Sequence, residues 1–546
     1  MALNIKDYRF LIIDDLREMR MTVRGMLESL KVKVVHEARS GDEALEILSK
    51  NPIDVVLCDY NLGEGRDGQQ TLEEAKGREL LLPTAAWIMI TAEQAMSMVM
   101  GVVENNPDGY LVKPINKSVL QARIERVIGR KQIINGIEAA LKAGEHAQVV
   151  RLCDQQLEKF PALKADLVRF KTEALIREGD YDAAAEICAG LLAERELPWT
   201  LLALGRIRYE TGDLRQAKTL FQKVVERHPT VMEGYDWLAR VEHDAGAGKE
   251  AQRIIQQALA MSPRSLRRQQ TLGDVAAENS DYATAEKAYD RAVQMGEDSC
   301  YARPDDQAGL ISSMMETKGP DNALRMLAEL NKKNGRKKGA KGPHWRLTTV
   351  EATLLGKLKR KNEAVAAAKR ALDAYKADTA HPAASATLAL VRACYENGLS
   401  DEGHAIVDRL VRENHDRHDV IDMAKRMFDE LGMQEEGATL IDNAQQAIIK
   451  INNEGVLLAK AGRYKEALSQ LQQAAEELPN NLTVLMNVVQ ALLLQMNKEG
   501  ASNQARYLAQ EHLARAEQLA PRSEKVAQLR ARLAALSAAP AKQATA

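Results

Sequence analysis

The first 130 residues alternate short apolar runs with longer amphipathic stretches. The apolar runs predict strands, and the stretches with apolar residues three and four apart predict helices. Strict alternation of the two is typical of a parallel sheet covered by helices on both faces. The predicted strands are residues 8–13, 32–38, 55–58, 86–91 and 109–112, and the predicted helices are 16–30, 41–49, 69–80, 92–105 and 117–128. This pattern predicts an α/β doubly wound, five-stranded parallel sheet.

Beyond this region the strand pattern ends and a helical pattern repeats every 34 residues. The positions in register are Gly205, Ala239 and Gly273 in one helix and Gly212, Gly246 and Ser280 in the turn after it. Small residues at fixed places let paired helices approach closely, and large apolar residues fill the gaps between them. We therefore expect a first domain over 1–130, an all-α solenoid of helical repeats over 131–536, and a disordered tail over 537–546.

Composition limits the classes of function that the chain can have. Its 546 residues are too many for one core, and 45% of them are hydrophobic. The net charge of -2 gives no general attraction to nucleic acid or to an anionic membrane. The five cysteines lack the spacing of a zinc site or a disulfide framework, and no run of about 18 apolar residues could span a membrane. We expect a cytoplasmic protein without membrane insertion.

Polar residues follow the ends of four predicted strands. Asp14 and Asp15 follow the first strand, Asp59 the third, Thr91 ends the fourth, and Lys113 follows the fifth. Carboxyl ends of parallel strands meet at one edge of the sheet, so these side chains should lie together. Three crowded carboxylates raise one another's pKa and need a cation to compensate. Oxygen ligands without histidine or thiolate favour Mg²⁺, and the lysine and hydroxyl would complete a phosphoryl site with the central carboxylate as nucleophile.

Four motifs, FLIIDD, DVVLCDYN, MITA and DGYLVKP, occur in this order within residues 8–130. Together they resemble the receiver domain of two-component response regulators. The resemblance implies that Asp59 is the phosphoacceptor. It also implies that Asp14, Asp15, Asp59 and the main-chain carbonyl of Asn61 hold Mg²⁺, with no further catalytic residue beyond Asp59.

The same resemblance implies a switch at the ends of the last two strands. Thr91 matches the switch hydroxyl, Tyr110 the aromatic residue that rotates on phosphorylation, and Lys113 the phosphate-binding lysine. The peptide bond before Pro114 is expected to be cis. One departure from the family pattern is the loop LGEGRDG after the acceptor strand, which lacks the usual proline and is expected to be longer and more mobile.

The 34-residue units resemble tetratricopeptide repeats, whose usual role is to present a binding surface. We therefore predict a response regulator of a phosphorelay, supplied with phosphoryl groups by a histidine kinase or a phosphotransfer protein. Its output would be phosphorylation-dependent protein binding, transmitted through the faces of the last two receiver helices, and it would have no enzymatic activity beyond its own phosphorylation and dephosphorylation. Two alternatives stay open: repeats that promote dephosphorylation of another signalling protein, and a constitutive scaffold that docks a histidine kinase. A homodimer also stays open.

Two stretches of the repeat region could carry other functions. The basic run over 332–345 predicts a solvated loop, in preference to a contact with an acidic partner or nucleic acid. His415 and His418 with two neighbouring aspartates suggest a phosphohydrolase, but the further histidines of such a site are missing from the sequence. A structural role for this cluster is the preferred interpretation.

Overall fold

The structure is a computed structural model that describes residues 5–92, 107–297, 299–335, 344–378, 383–520 and 523–538. The chain divides into two compact units, Met1–Gly309 and Leu310–Ala546. Within the described residues, no helix has the length and apolar character needed to cross a membrane.

Five parallel strands form the sheet of the first unit, in the order β2-β1-β3-β4-β5. The strands are β1 (Arg9–Ile13), β2 (Val34–Ala38), β3 (Val55–Asp59), β4 (Ala86–Ala92) and β5 (Gly109–Lys113). Every residue of β3 is buried, because this strand lies at the centre of the sheet with helices on both faces. The predicted doubly wound fold is confirmed, and each strand lies within two residues of its predicted bounds.

Four described helices cover the sheet. They are α1 (Arg17–Ser29), α2 (Gly41–Lys50), α3 (Gly68–Gly77) and α4 (Lys117–Lys142). Leu27 of α1 and Ile124 of α4 belong to the core on one face, and Leu45 of α2 and Leu72 of α3 belong to the core on the other. The helix predicted over 92–105 lies, apart from its first residue, outside the described residues.

Helix α4 is longer than the predicted helix over 117–128. It continues without a break through Gly129 and Gly136 to Lys142. Its first half contributes Val127 to a core of the sheet domain, and its second half contributes Ile137 to the core of the first repeat helices. Each glycine costs a helix about 1 kcal/mol, whereas burying a large apolar side chain contributes about 1.5–3 kcal/mol. The buried side chains in both halves therefore outweigh the two glycines.

The helices after α4 form antiparallel pairs. They are α5 (His146–Lys159), α6 (Lys164–Glu178), α7 (Tyr181–Glu194), α8 (Pro198–Glu210), α9 (Leu214–Arg227), α10 (Met232–Asp244), α11 (Gly248–Met261), α12 (Leu266–Glu278), α13 (Tyr282–Met295), α14 (Pro304–Thr317), α15 (Pro320–Asn334), α16 (Trp345–Lys357), α17 (Lys361–Ala377), α18 (Ala384–Glu396), α19 (Ser400–Glu413), α20 (His418–Glu430), α21 (Gln434–Lys460), α22 (Tyr464–Glu477), α23 (Leu482–Glu499), α24 (Asn503–Leu519) and α25 (Glu524–Ala538). Two short 3-10 helices lie at Ile5–Asp7 and Pro161–Leu163. The predicted helical solenoid is confirmed.

The repeated small residues lie where paired helices are closest. A Cβ atom on Gly205 would lie 2.5 Å from the Phe221 ring, and one on Gly273 would lie 2.6 Å from the Tyr289 ring. Both distances are shorter than real carbon contacts, so each glycine makes room for the aromatic residue of the next helix. The 34-residue spacing therefore repeats one packing contact.

The turn position of the repeat has left-handed backbone in each copy. Gly212 has φ 84°, Gly246 has φ 79° and Ser280 has φ 61°. Glycine adopts this conformation at little cost, which explains its recurrence. Ser280 keeps the turn without glycine, at the cost that a side chain incurs there.

Helices include the first residues of two predicted irregular segments. Ser537 and Ala538, the first residues of the predicted tail, end helix α25, and 539–546 lie outside the described residues. In the basic run, Lys332 and Lys333 lie in the last turn of α15, whereas 336–343 are not described. Trp345 begins α16, is only 1% exposed and packs edge-on against Tyr375, so it belongs to the core.

Candidate functional site

The predicted acidic residues meet at the carboxyl edge of the sheet. Ile13 of β1 pairs with Cys58 of β3, so Asp14 and Asp59 follow in register at neighbouring strand ends. One carboxylate oxygen each of Asp14, Asp15 and Asp59 lies within 4.8 Å of the others. Asp14 and Asp59 are 3% and 8% exposed, whereas Asp15 is exposed to solvent. The site is thus open on one side and buried on the other.

Lys113 brings a positive charge to the buried side. Its Nζ atom lies 2.9 Å from Oδ2 of Asp59 and 3.3 Å from Oδ2 of Asp14. The lysine ends β5, two strands away from β3, and the order of the strands in the sheet brings it to the same edge. An ammonium group in this position can neutralise charge on an anion that is bound to Asp59.

Burial affects the pKa values of Asp59 and Lys113. Burial raises the pKa of Asp59, and the nearby Asp14 carboxylate adds to the rise, while the Lys113 ammonium opposes it. For Lys113, burial acts to lower the pKa, but the hydrogen bond to Asp59 and the charges of both aspartates outweigh it, and the pKa is raised. The lysine therefore stays protonated, and the acceptor carboxylate is less stable as an anion than an exposed aspartate.

The donor atoms of the cluster fit a hard divalent cation. Three carboxylates and one ammonium leave two uncompensated negative charges when all are ionised. All the available ligands are oxygen atoms, and the exposed Asp15 leaves room for water, as Mg²⁺ requires. The nearby Arg20 is already occupied, because its Nη1 donates to the main-chain carbonyls of Asp14 and Asp15 at 2.8 and 3.2 Å. Sequence reasoning did not identify Arg20, which lies in an ordinary amphipathic helix.

The two predicted switch residues lie on the last two strands. Thr91 is 1% exposed and follows Ile90, the residue of β4 that pairs with Asp59. Tyr110 of β5 has a buried hydroxyl with no hydrogen-bond partner among the described residues. Burial, with a smaller effect of Tyr60, raises the pKa of Tyr110 to about 12. The peptide bond between Lys113 and its neighbour proline is cis, as predicted.

The loop after Asp59 returns towards the acidic cluster. The main-chain N–H of Gly68 donates to the carbonyl of Tyr60 at 2.8 Å and closes the loop. Within the loop, Asn61 is exposed, and Gly63 has φ 72°. A Cβ atom on Gly63 would lie 3.2 Å from Oδ2 of Asp15. The loop that carries Asn61 therefore lies directly beside the predicted metal ligands.

The histidine cluster of the repeat region makes structural contacts. His415 Nδ1 lies 3.1 Å from Nδ2 of Asn481, and the carboxylate of Asp416 accepts a hydrogen bond from Thr483 at 2.9 Å. Asn481 and Thr483 belong to the cap and first turn of α23. These bonds join the segment before α20 to the start of α23, in line with the structural interpretation of the cluster.

Comparisons with known proteins agree with this geometry. The family model described as response regulator receiver domain matches residues 10–125, and a tetratricopeptide repeat model matches 175–235. Chemotaxis protein CheY-3 of Vibrio cholerae serotype O1 is 32% identical over 127 residues, which are 23% of this chain and 95% of that protein. Chemotaxis protein CheY of Pseudomonas aeruginosa is 31% identical over 130 residues, which are 23% of this chain and 99% of that protein.

A solved tetratricopeptide repeat protein from Parabacteroides merdae aligns with 50% of this chain and 98% of its own, at 12% identity and a TM-score of 0.30. The fold and the matched models define the class of the molecule as a receiver domain joined to a tetratricopeptide-repeat array. The chain belongs to the response regulator family.

Proposed function

We propose that the chain is a phosphorelay response regulator whose repeats bind a protein partner in a phosphorylation-dependent way. The observation that carries the proposal is the contact of the Lys113 ammonium with both Asp59 and Asp14 beside a third carboxylate, Asp15. This arrangement combines a nucleophile, an acidic pocket and a phosphate-binding cation at one edge of the sheet. The chain has no proposed enzymatic activity beyond its own phosphorylation and dephosphorylation.

The proposed chemistry is phosphoryl transfer to Asp59 from a phosphohistidine of a histidine kinase or a phosphotransfer protein. A carboxylate oxygen of Asp59 forms a bond to phosphorus, the bond from phosphorus to the histidine nitrogen breaks, and that nitrogen takes up a proton. Asp14, Asp15, Asp59 and the main-chain carbonyl of Asn61 would hold Mg²⁺, which would supply positive charge to neutralise phosphoryl oxygens. Hydrolysis of the acyl phosphate by water regenerates the carboxylate.

The remaining site residues bind and report the phosphoryl group. Lys113 pairs with one phosphoryl oxygen, and the Thr91 hydroxyl donates to another. The movement of Thr91 opens space into which Tyr110 rotates. The buried hydroxyl of Tyr110, which has no hydrogen-bond partner among the described residues, supports such a movement, because a buried hydroxyl without a partner is costly.

The proposal assigns 1–130 to the receiver, 131–536 to the repeat array and 537–546 to a tail, in a cytoplasmic protein. The array supplies the output surface for an unidentified protein partner. Its regular helical pairs with a recurring contact at Gly205 and Gly273 support this role, because stacked repeats form an extended binding surface.

The first test is labelling with a small phosphodonor, acetyl phosphate, followed by intact-mass measurement. We expect one added phosphate that requires Mg²⁺, is lost in Asp59→Asn, and is strongly reduced in Lys113→Ala because the phosphoryl charge is no longer neutralised. Asp54→Asn is the matched control, since Asp54 precedes the same strand but pairs with Arg9 at 2.8 Å. Undiminished labelling of Asp59→Asn would refute the assignment of the acceptor.

The second test concerns the output. The labelled chain and its Asp59→Asn variant are immobilised, and the proteins that they retain from a lysate are compared by mass spectrometry. We expect a partner that is enriched on the labelled chain and depleted on the variant. Equal retention on both would contradict phosphorylation-dependent binding and favour the constitutive scaffold.

A further inference from the structure

The third receiver helix contacts the repeats at two turns. One is the turn before α12, where the guanidinium of Arg264 lies 3.5 Å from the carboxylate of Asp67. The main-chain carbonyl of Arg264 also accepts a hydrogen bond from Gln70 at 3.3 Å. The other is the segment after α13, which contains Ser299, Cys300 and Tyr301. Helix α3 and its N-cap residue Asp67 thus interact with both of these segments. We refer to these interactions together as the α3 contact.

Glu74 is the centre of the second part of the α3 contact. Its carboxylate accepts hydrogen bonds from the main-chain N–H of Cys300 at 2.7 Å and from the hydroxyl of Ser299 at 2.8 Å. The side chain of Glu74 is only 4% exposed, and Arg78 pairs with it at 2.6 Å. Charge-assisted hydrogen bonds to a buried carboxylate are among the stronger polar contacts in proteins. The contact is therefore specific.

Helix α3 and the segment after α13 lie close together at Gly77. A Cβ atom on Gly77 would lie 2.5 Å from Sγ of Cys300 and 2.6 Å from the hydroxyl oxygen of Tyr301. That hydroxyl donates to the main-chain carbonyl of Glu73 at 3.3 Å, and the Tyr301 ring stacks with Arg267 at 4.7 Å. A side chain at position 77 that is not covalently bonded to Cys300 would have to displace this segment.

The α3 contact is connected to the phosphorylation site through the loop over 61–67. Asp67 ends the loop and caps α3 by accepting from the N–H of Gln70 at 2.8 Å. The next residue, Gly68, touches the acceptor, because a Cβ atom there would lie 2.2 Å from the carbonyl oxygen of Asp59. Within the loop, Arg66 donates to the main-chain carbonyl of Glu297 at 3.2 Å. The loop is thus joined to the acceptor strand at one end and to the repeats at the other.

We propose that Arg264 of the repeat array is a positioning residue of the phosphorylation site, which orders the metal-binding loop by holding Asp67. The inference rests on the proposed function of Asp59 and adds to it a residue from outside the receiver. The side chain of Asp67 is 8% exposed, so its charge is poorly solvated, and the guanidinium compensates it. With Asp67 held, the backbone of Asn61 stays in place beside Asp14 and Asp15.

Coupling of this kind acts in both directions. If docking of α3 on the repeats increases the affinity of the site for Mg²⁺, binding at the site must favour docking by the same free energy. The repeats then sense the state of the receiver through α3, a route separate from the two last receiver helices considered in the sequence analysis. The repeats would then hold this loop, which lacks the usual proline of the family pattern, through Arg66 and Asp67.

The test measures Mg²⁺ binding to the full chain by isothermal titration calorimetry, without a phosphodonor. We expect Arg264→Ala to raise the dissociation constant by about two- to fivefold, the size of effect expected for a partly exposed ion pair, and Arg264→Lys to restore most of the affinity. Arg253→Ala is the matched control, because Arg253 pairs with Glu250 of its own helix. Circular dichroism verifies that each variant keeps its helical content.

A cross-link tests the α3 contact itself. In a Gly77→Cys variant, the new thiol and Cys300, the exposed member of the five cysteines, should form a disulfide when diamide is added as oxidant, and Gly77→Cys combined with Cys300→Ser should not. Absence of the disulfide, or an unchanged Mg²⁺ affinity in Arg264→Ala, would overturn the inference. If acetyl phosphate labels Asp59 while Arg264→Ala binds Mg²⁺ normally, the inference alone fails. If Asp59 is never labelled, the proposed function fails, whatever the calorimetry gives.

Discussion

Single glycines decide how closely the helices of the array pack. Gly273 of α12 faces the ring of Tyr289, and a methyl group would enter the space that the ring occupies. Gly190 of α7 has no neighbouring atom within 4 Å of the corresponding position. A glycine is therefore needed for close packing at position 273 but not at position 190, and the difference comes from the neighbouring helix.

We predict that Gly273→Ala destabilises the first unit by about 1–3 kcal/mol, because the added methyl group forces the aromatic ring out of its position. Gly190→Ala is the control and should stabilise by about 0.5–1 kcal/mol, since alanine is the better helix former. Chemical denaturation of the full chain followed by circular dichroism gives both values. Equal effects of the two substitutions would mean that the ring does not pack against Gly273 in solution.

The carboxylate of Glu74 makes the α3 contact sensitive to pH. Burial acts to raise its pKa, but the hydrogen bonds from Cys300 and Ser299 and the charge of Arg78 outweigh burial, and the pKa is lowered below the ordinary 4.5. A group with a lowered pKa stabilises the folded state above its ordinary pKa and loses that contribution as the pH falls through the lowered value. The α3 contact should therefore be intact at neutral pH and weaken below pH 4.5.

We predict that amide hydrogen exchange in α3, corrected for the intrinsic effect of pH, becomes faster as the pH falls below 4.5. Glu74→Gln should show fast exchange at every pH, because the neutral amide loses the charge-assisted bonds. Exchange measured by mass spectrometry on peptides from residues 68–77 provides the readout. A wild-type chain with the same protection at both ends of the pH range would contradict the role of Glu74.

At the scale of elements, α4 joins two cores. Val127 belongs to the receiver core, and Ile134 and Ile137 belong to the core of the first repeats. Beside the junction, Arg130 pairs with Asp166 of α6 at 2.6 Å. Because one rigid helix is shared, opening either core disturbs the other, and the receiver and first repeats should unfold together.

Inserting Gly-Ser-Gly-Ser after Arg130 should allow the receiver and the first repeats to unfold separately. We expect differential scanning calorimetry to resolve a transition of the receiver that is absent from the unmodified chain, since the helix no longer transmits the loss of one core to the other. The same insertion after Gly500, a turn residue with φ 95° between α23 and α24, is the control and should leave the receiver unaffected. If no separate receiver transition appears after the insertion at Arg130, α4 is not the coupling element.

The strands and most helices of the receiver could be predicted from the sequence, because apolar periodicity is a local property. The end of α4 could not be predicted in the same way. Gly129 is a signal for ending a helix, and its effect of about 1 kcal/mol is real. The helix continues because Val127 before this glycine and Ile134 after it are both buried. Whether they are buried depends on which surfaces the helix packs against.

At the scale of the whole molecule, the first compact unit contains the receiver together with repeats as far as Gly309. Within this unit, the receiver contacts the repeats through α3. Asp67 and Arg264 are 197 residues apart in the chain and form an ion pair. If Asp59 is phosphorylated as proposed, the receiver has a direct contact with the repeats through which the change could act.

The sequence by itself determined the doubly wound sheet, the helical repeats and the meeting of Asp14, Asp15, Asp59 and Lys113 at one edge. It could do so because strand order and strand ends follow from local patterns and from the topology of parallel sheets. Only the tertiary structure decided that α4 serves two cores and that Glu74, an ordinary helical glutamate in the sequence, binds the segment at Cys300. Such contacts depend on how all the repeats between the two segments pack, and a local sequence pattern does not specify that packing.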